Sequence, residues 1–346
     1  MKEGCRFGTH RVIEPRGTLP QPALRIDNST EIYDNEVLID VRTLNIDSAS
    51  YTQIKNECKN DAEKMKEKIF SIISERGKMQ NPVTGSGGML VGTVSAIGHK
   101  FPDKKLKVGD RIATLVSLSL TPLNLKKIIH LNPDSDQVDV EAKAILFESG
   151  IFAKLPDDIP EKLALAALDV AGAPAQVDRL VKEGDTVCIL GGGGKSGILC
   201  CYQALKNVGP YGKVIVVEFS KENAKRINEL NLATDVIIAD ATDVMDVYKK
   251  VTEITGLRGC DVTINNVNVP NTEMTSILIT KGQGLIYFFS MATSFTKAAL
   301  GAEGIGKDLN LIVGNGYAKG HADLTLNILR ESSEIRGLFE KLYVHN

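Results

Sequence analysis

Residues 185–218 hold the groups whose types and spacing could do the most chemistry. Four consecutive glycines at 191–194 follow a short apolar run at 187–190, and Gly192, Gly194 and Gly197 satisfy G-x-G-x-x-G ahead of a mostly apolar helical pattern over 198–208. An apolar run that short, bounded by glycine, predicts a buried parallel strand. The turn lets backbone approach a pyrophosphate, and the start of the next helix offers it N–H groups and a partial positive charge. A second strand over 214–217 ends in Glu218, about twenty residues beyond the last glycine, where a carboxylate can hydrogen-bond ribose hydroxyls. The same charge repels a 2′-phosphate, so NAD is expected over NADP. Gly191 can replace Gly192 as the first glycine of the turn. Lys195 stands where such loops usually carry a small residue, and it reads either as a phosphate contact or as loop surface.

The elements that must position this loop alternate. Strands are expected at 187–190, 214–217, 236–238, 262–265 and 284–289, with helices at 198–208, 221–230, 244–255 and 272–279 between them, a further strand at 309–313 and helices over 321–342. That rhythm predicts an α/β fold, a doubly wound parallel sheet with helices on both faces. Asn266 and Asn268 then fall at the carboxyl edge of the sheet, where amide or backbone groups can meet a nicotinamide carboxamide or simply cap a turn. The first 160 residues look β-rich. Residues 36–42 alternate as a half-buried strand, 43–50 read as a turn into a short helix capped by Asp47 or Ser48, and 56–78 carry Met65, Ile69, Ile72 and Ile73 at the spacing of one amphipathic helix. Glycine turns at 85–88 and 107–111 separate short strands, the pattern of a compact barrel-like domain. A proline-bounded segment at 155–160 precedes an alanine-rich helix at 161–171 and is the candidate boundary.

Composition narrows the function classes. A chain of 346 residues with 41 basic and 43 acidic side chains, net charge −2, gives no global electrostatic reason to expect nucleic acid or an anionic membrane as partner. The first sixteen residues lack the apolar core of a secretory signal, and no stretch is long enough to span a bilayer. The six cysteines are scattered and read as reduced, mostly buried thiols of a cytoplasmic protein. His10, His99, His130, His321 and His345 show no close mutual spacing, so no sequence-local metal site is expected.

With these pieces placed, the chain resembles the medium-chain dehydrogenase/reductase superfamily. The likeness is carried by Asn35-Glu36-Val37-Leu38-Ile39-Asp40-Val41, Leu106-Lys107-Val108-Gly109-Asp110-Arg111, Leu155-Pro156-Asp157, Lys182-Glu183-Gly184-Asp185-Thr186-Val187, the glycine loop, and Gly259-Cys260-Asp261-Val262-Thr263-Ile264-Asn265-Asn266, all in the family's order. The resemblance implies a GroES-like β-rich catalytic domain at 1–160, a Rossmann NAD-binding domain at 161–310, a segment at 311–346 returning to the catalytic domain, and a homodimer. Zinc-dependent members carry a cysteine where this chain has Asp47 and a histidine-glutamate pair where it has Gly87-Gly88-Met89, and the four-cysteine zinc lobe is missing. No metal is therefore expected.

Asp47, Gly85-Ser86-Gly87-Gly88-Met89, Leu168-Asp169-Val170-Ala171-Gly172-Ala173-Pro174, the lysine in the glycine loop and Ile264-Asn265-Asn266-Val267-Asn268 are similar to a zinc-free branch of that superfamily. That branch deaminates a diamino acid oxidatively in bacterial lysine fermentation. The resemblance implies hydride transfer from a CH–NH2 group to NAD. An amine must be uncharged to lose hydride, and water then displaces ammonia from the resulting iminium, so a carboxylate can serve as base in both steps without a metal. Asp47 or Asp169 is assigned to base or ammonium binding and Glu148 to ammonium binding. Each acid also has an ordinary reading, Asp47 as a helix cap, Glu148 as a solvated loop acid and Asp169 as helix surface. His321 resembles the place where the family puts a basic residue on the pyrophosphate, or it simply begins a helix. A zinc-free quinone or enoyl reductase and a non-catalytic NAD-binding protein are the competing functions.

Overall fold

The computed structural model describes residues 2–314 and 316–344; Met1, Asn315, His345 and Asn346 lie outside the described residues. The chain divides into two compact units, one running to Asp169 and taking in the chain again from Leu342, the other covering Val170–Lys341.

In the first unit a short antiparallel pair, β1 (Val12–Glu14) and β2 (Arg25–Ile26), precedes β3 (Val37–Ile46), helices α1 (Ser48–Glu57) and α2 (Ala62–Arg76), then β4 (Gly88–Ile97), β5 (Arg111–Thr114), β6 (Leu123–Leu131), β7 (Gln137–Leu146), β8 (Phe152–Lys154) and α3 (Glu161–Leu168). Strands β3 to β8 form one antiparallel sheet in the order β6-β7-β3-β4-β5-β8. Strand β3 lies at its centre and is longer than the alternation over 36–42 suggests. Its register against both β4 and β7 shifts between Val41 and Thr43, and such a bulge flips the faces of every residue beyond it. Val37, Ile39 and Val41 join the core before the bulge, Leu44 and Ile46 after it, which leaves Thr43 and Asn45 on the opposite face.

The short helix expected after Asp47 is α1, and the helix expected over 56–78 is α2, which starts only at Ala62. Lys59 and Asn60 adopt positive φ (53° and 63°), which ends α1, and the Asp61 carboxylate then caps α2 by accepting from the amides of Glu63 and Lys64. Met65, Ile69, Ile72 and Ile73 face the core as their spacing requires. The helix expected at 161–171 likewise stops at Leu168, and a new one, α4 (Gly172–Leu180), begins after it.

The amino-terminal segment is fastened by a buried ion pair. Arg11 donates from Nε and Nη2 to the two carboxylate oxygens of Glu36, each at 2.7 Å, while His10 and the Tyr33 amide also bond this carboxylate. These partners outweigh burial and hold the Glu36 carboxyl at about 2. A depressed carboxyl stabilises the fold above its unfolded value, and that contribution is lost as pH falls toward 2. Glu36→Gln is expected to destabilise the protein by about 3 kcal/mol at neutral pH, because it leaves buried Arg11 only the exposed Asp27 carboxylate, 3.6 Å from Nη1, as counter-charge. Denaturant unfolding checks this, and a loss under about 1 kcal/mol would refute it.

The second unit continues from α4 through β9 (Thr186–Leu190), α5 (Lys195–Val208), β10 (Lys213–Glu218), α6 (Lys221–Glu229), β11 (Asp235–Ile238), α7 (Val244–Thr255), β12 (Cys260–Asn265), α8 (Glu273–Ile279), β13 (Thr280–Phe288), α9 (Phe295–Gly304), β14 (Asn310–Val313), α10 (His321–Glu331) and α11 (Ser333–Tyr343). Its sheet is parallel throughout, in the order β11-β10-β9-β12-β13-β14. That order reverses between β9 and β12, the switch point at which such sheets bind ligands outside their carboxyl ends. No helix among the described residues is long and apolar enough to cross a membrane.

Candidate active site

At the carboxyl edge of the parallel sheet the segments that follow β9, β10 and β12 meet. The Gly191 amide donates to Val217 O at 2.8 Å, the Asn266 amide to Leu190 O at 3.0 Å, and the Gly193 amide to Glu218 Oε2 at 2.8 Å. Glycine is required in the turn for different reasons at different positions. Gly191 has φ +77°, and a Cβ on Gly197 would lie 2.2 Å from Gly191 O and 2.6 Å from Gly192 C, so the first turn of α5 packs directly on the loop backbone. Gly194, the N-cap of α5, is exposed, and a Cβ there would meet nothing within 4 Å. The loop thus presents open backbone at a helix start, which suits a diphosphate. Lys195 is the first residue of α5 and is half-buried.

Glu218 ends β10 and is 7% exposed. Besides the Gly193 amide it accepts from Ser220 N at 3.0 Å and from Asn223 Nδ2 at 3.5 Å. Asn223 in turn accepts from Arg226 Nη1 at 3.0 Å. Gly193 and Asn223 escaped the sequence reading; Gly193 is an unspecified position of the glycine pattern, and Asn223 lies against it only once α6 is folded.

Across the switch point, Asn268 is exposed and Asn266 half-buried. The Asn266 side-chain amide lies against the Cys200 thiol, which burial pushes up to about 12, and makes no hydrogen bond of good geometry. The Tyr287 hydroxyl on β13 is also buried without a partner, and burial raises its pKa. His321 is the first residue of α10 and 3% exposed, its ring edge-on to Tyr317 at 5.1 Å. Burial lowers its pKa, so the group it offers is a neutral imidazole. Cys188, Cys200, Cys201 and Cys260 are buried thiols in this unit.

The candidate acids belong to the first unit. Asp47 follows β3 directly and caps α1, its Oδ1 accepting from Ser50 N at 3.0 Å, while its Oδ2 is buried with no hydrogen-bond partner. The Ser50 hydroxyl shares hydrogen bonds with Thr84 Oγ1 at 2.6 Å and Ser86 Oγ at 2.9 Å. Gly88 has φ +108°, and a Cβ there would lie 1.9 Å from Asn45 O, so only glycine lets β4 start against β3 at this point. Asn45, two residues before Asp47, is fully buried with both side-chain polar atoms unpartnered. Each such atom costs about 1–3 kcal/mol unless something bonds it. Its signal in the sequence was a lone amide between Leu44 and Ile46. Glu148, by contrast, is engaged by Asn35 Nδ2 at 2.9 Å and lies 3.8 Å from Arg6 Nε. Asp169 follows the last turn of α3, half-buried, its amide donating to Leu165 O at 3.1 Å. Among the described residues no three His, Cys, Asp or Glu side chains gather as a metal site.

A profile of the L-erythro-3,5-diaminohexanoate dehydrogenase N-terminal domain matches residues 10–156. The chain is 59% identical over 343 residues to L-erythro-3,5-diaminohexanoate dehydrogenase of Acetoanaerobium sticklandii, covering 99% of this chain and 100% of that protein. It is 61% identical over 346 residues to the enzyme of the same name from Fusobacterium nucleatum subsp. nucleatum, with the same coverage. The chain belongs to the L-erythro-3,5-diaminohexanoate dehydrogenase family. It is a dehydrogenase, and its fold is that of the medium-chain dehydrogenases and reductases, a GroES-like β-rich part with a Rossmann sheet. Solved structures with this fold include the CurK enoyl reductase (TM-score 0.57, 15% identity, 92% of this chain and 90% of that one). A quinone oxidoreductase of Pseudomonas syringae shares it as well (TM-score 0.54, 20% identity, 92% and 84%). At such identities the likeness extends to the fold alone, and the dehydrogenase assignment rests on the two full-length relatives.

Proposed function

We propose that this dehydrogenase oxidatively deaminates L-erythro-3,5-diaminohexanoate at C3 with NAD, giving 5-amino-3-oxohexanoate, ammonium and NADH, as a step of lysine fermentation in the cytoplasm. The identity of 59% and 61% over essentially the whole length of two enzymes of that name carries the substrate. Glu218 carries the choice of NAD.

The residues fit a dinucleotide. The open backbone at Gly194 and the start of α5 suit the pyrophosphate, with Gly191, Gly192 and Gly197 shaping the turn and Lys195 at its rim. Glu218 suits the ribose hydroxyls, and Asn266 and Asn268 the carboxamide end. When bound, the nicotinamide supplies the acceptor for the hydride that leaves C3. The protein's part is to strip a proton from the substrate ammonium, so that the nitrogen lone pair can form the C=N bond. Water then adds to that carbon, a proton passes from oxygen to nitrogen, and the C–N bond breaks to leave a ketone and ammonium. Asp47 is our choice as base, because its Oδ2 is buried and unengaged whereas the carboxylate of Glu148 is already bonded. Glu148 and Asp169 are then left to the ammonium groups or to the fold.

Glu218→Ala is expected to weaken NAD binding about 10–100-fold, the loss of charge-assisted hydrogen bonds. NADP, no longer repelled and with Arg226 close by, should lose far less. Titration of both cofactors reads this, and unchanged affinity for each would remove Glu218 from the ribose. The substrate is tested by NADH formation against a panel containing the diamino acid, 3-aminobutanoate, simple alcohols and a quinone with NADPH. Turnover of the quinone alone would favour the reductase reading, and tight NAD binding with no turnover a non-catalytic one.

A further inference from the structure

Among the described residues, Asn45 is the one fully buried side chain near the candidate base whose hydrogen-bonding atoms are all idle. Its carbonyl oxygen and its amino group both lack partners, and so does Oδ2 of Asp47. The bulge after Val41 turns Leu44 and Ile46 into the core, so Asn45 points the other way. Asp47, still extended at φ −56° and ψ 146°, continues that alternation and shares the Asn45 face. The neighbouring buried polar groups are satisfied. Thr43 Oγ1 donates to Asp139 at 2.9 Å, Gln137 Nε2 donates to Lys162 O at 3.1 Å, and Ser50 is bonded to Thr84 and Ser86. The unmet capacity is therefore local: one acceptor and one two-proton donor on a rigid amide, beside one anionic acceptor.

A ligand that meets this set offers N–H donors and a hydrogen-bond acceptor a few ångströms apart. A β-amino acid does so, because its ammonium and its carboxylate stand on carbons separated by one methylene. We propose that Asn45 is a substrate-binding residue that holds the C1–C3 half of the diamino acid. Its carbonyl oxygen accepts from the C3 nitrogen, its amino group donates to the C1 carboxylate, and Asp47 Oδ2 is the second acceptor for the same nitrogen. This deepens the function proposed above and rests on that substrate. It explains why an amide stands here: a second carboxylate would hold the nitrogen but repel C1, and a hydrophobic side chain would hold neither.

The test compares two ligands, L-erythro-3,5-diaminohexanoate and 2,4-diaminopentane, the same diamine without its carboxylate. Their dissociation constants are measured by calorimetry on the full chain and on Asn45→Asp, with NADH affinity as the check that the variant is folded. The wild type should bind the diamino acid more tightly than the diamine. Asn45→Asp should weaken the diamino acid roughly 10–100-fold while leaving the diamine unchanged or tighter. Asn45→Ala should weaken both ligands, and it carries the test should the aspartate variant lose NADH binding. Equal losses for the two ligands in Asn45→Asp, or none in either variant with NADH affinity intact, would overturn the assignment. Wild-type protein that neither binds nor oxidises the diamino acid would instead overturn the substrate, whatever the variants do.

Discussion

Asp47→Asn is expected to lower kcat about 10²–10⁴-fold, the range for removal of a general base, while the melting temperature stays within about 2 °C. The two effects separate because the two oxygens of Asp47 have different partners. Oδ1 caps α1 through Ser50 N, whereas Oδ2 has none. Asparagine caps a helix as well as aspartate does, and its carbonyl can keep the bond to Ser50, but an amide cannot take a proton from an ammonium. Asp47→Ala removes both and should also cost about 1 kcal/mol of stability. If Asp47→Asn keeps full turnover, the carboxylate is a cap and the base lies elsewhere, with Asp169 the next candidate.

Gly197→Ala should abolish NAD binding at practical concentrations, a loss beyond about 100-fold, and destabilise the protein by about 1–3 kcal/mol through overpacking. The added methyl meets the backbone of Gly191 and Gly192, not the end of a flexible side chain. Gly191 cannot retreat without breaking its bond to Val217 O. To relieve the clash α5 must move off the loop, taking its amino terminus from the pyrophosphate. Gly194→Ala is the matched control. At φ −82° and ψ 174° alanine is unstrained, and its methyl meets no protein atom. Stability should hold, and NAD affinity should still fall because the methyl projects where the diphosphate would lie. Unchanged NAD affinity in both variants, with stability lost only in Gly197→Ala, would show that the loop is only a structural turn.

These contrasts also show what could be read from the sequence. The parallel sheet was legible because β9 and β10 are short, nearly continuous apolar runs, and because glycine, glutamate and asparagine mark the ends of β9, β10 and β12. Helix α9 escaped because residues 295–304 bury only Ala298 and Ala302, too thin an apolar stripe to give a period. Around Asp47 the sequence misled for a geometric reason. A bulge at 41–43 moves the alternation by one residue, so the second half of β3 resembled a turn, and Asn45 looked like part of it instead of a buried amide beside an acid. The late start of α2 was equally hidden, since left-handed Lys59 and Asn60, which separate it from α1, carry no glycine to announce them. The acid at 47 was found by resemblance and the amide at 45 by the structure, because an unpaired buried group is visible only when its surroundings are.

The most direct test of the proposed reaction is the stoichiometry of products when the purified protein is given L-erythro-3,5-diaminohexanoate and NAD. Ammonium and NADH should form in equal amounts, at a rate at least about tenfold above that with NADP, the smallest preference expected if Glu218 sets the cofactor. NADH without ammonium would mean that the hydride does not leave an amine-bearing carbon. Ammonium without NADH, or activity only with NADPH and a quinone or alkene, would contradict the account.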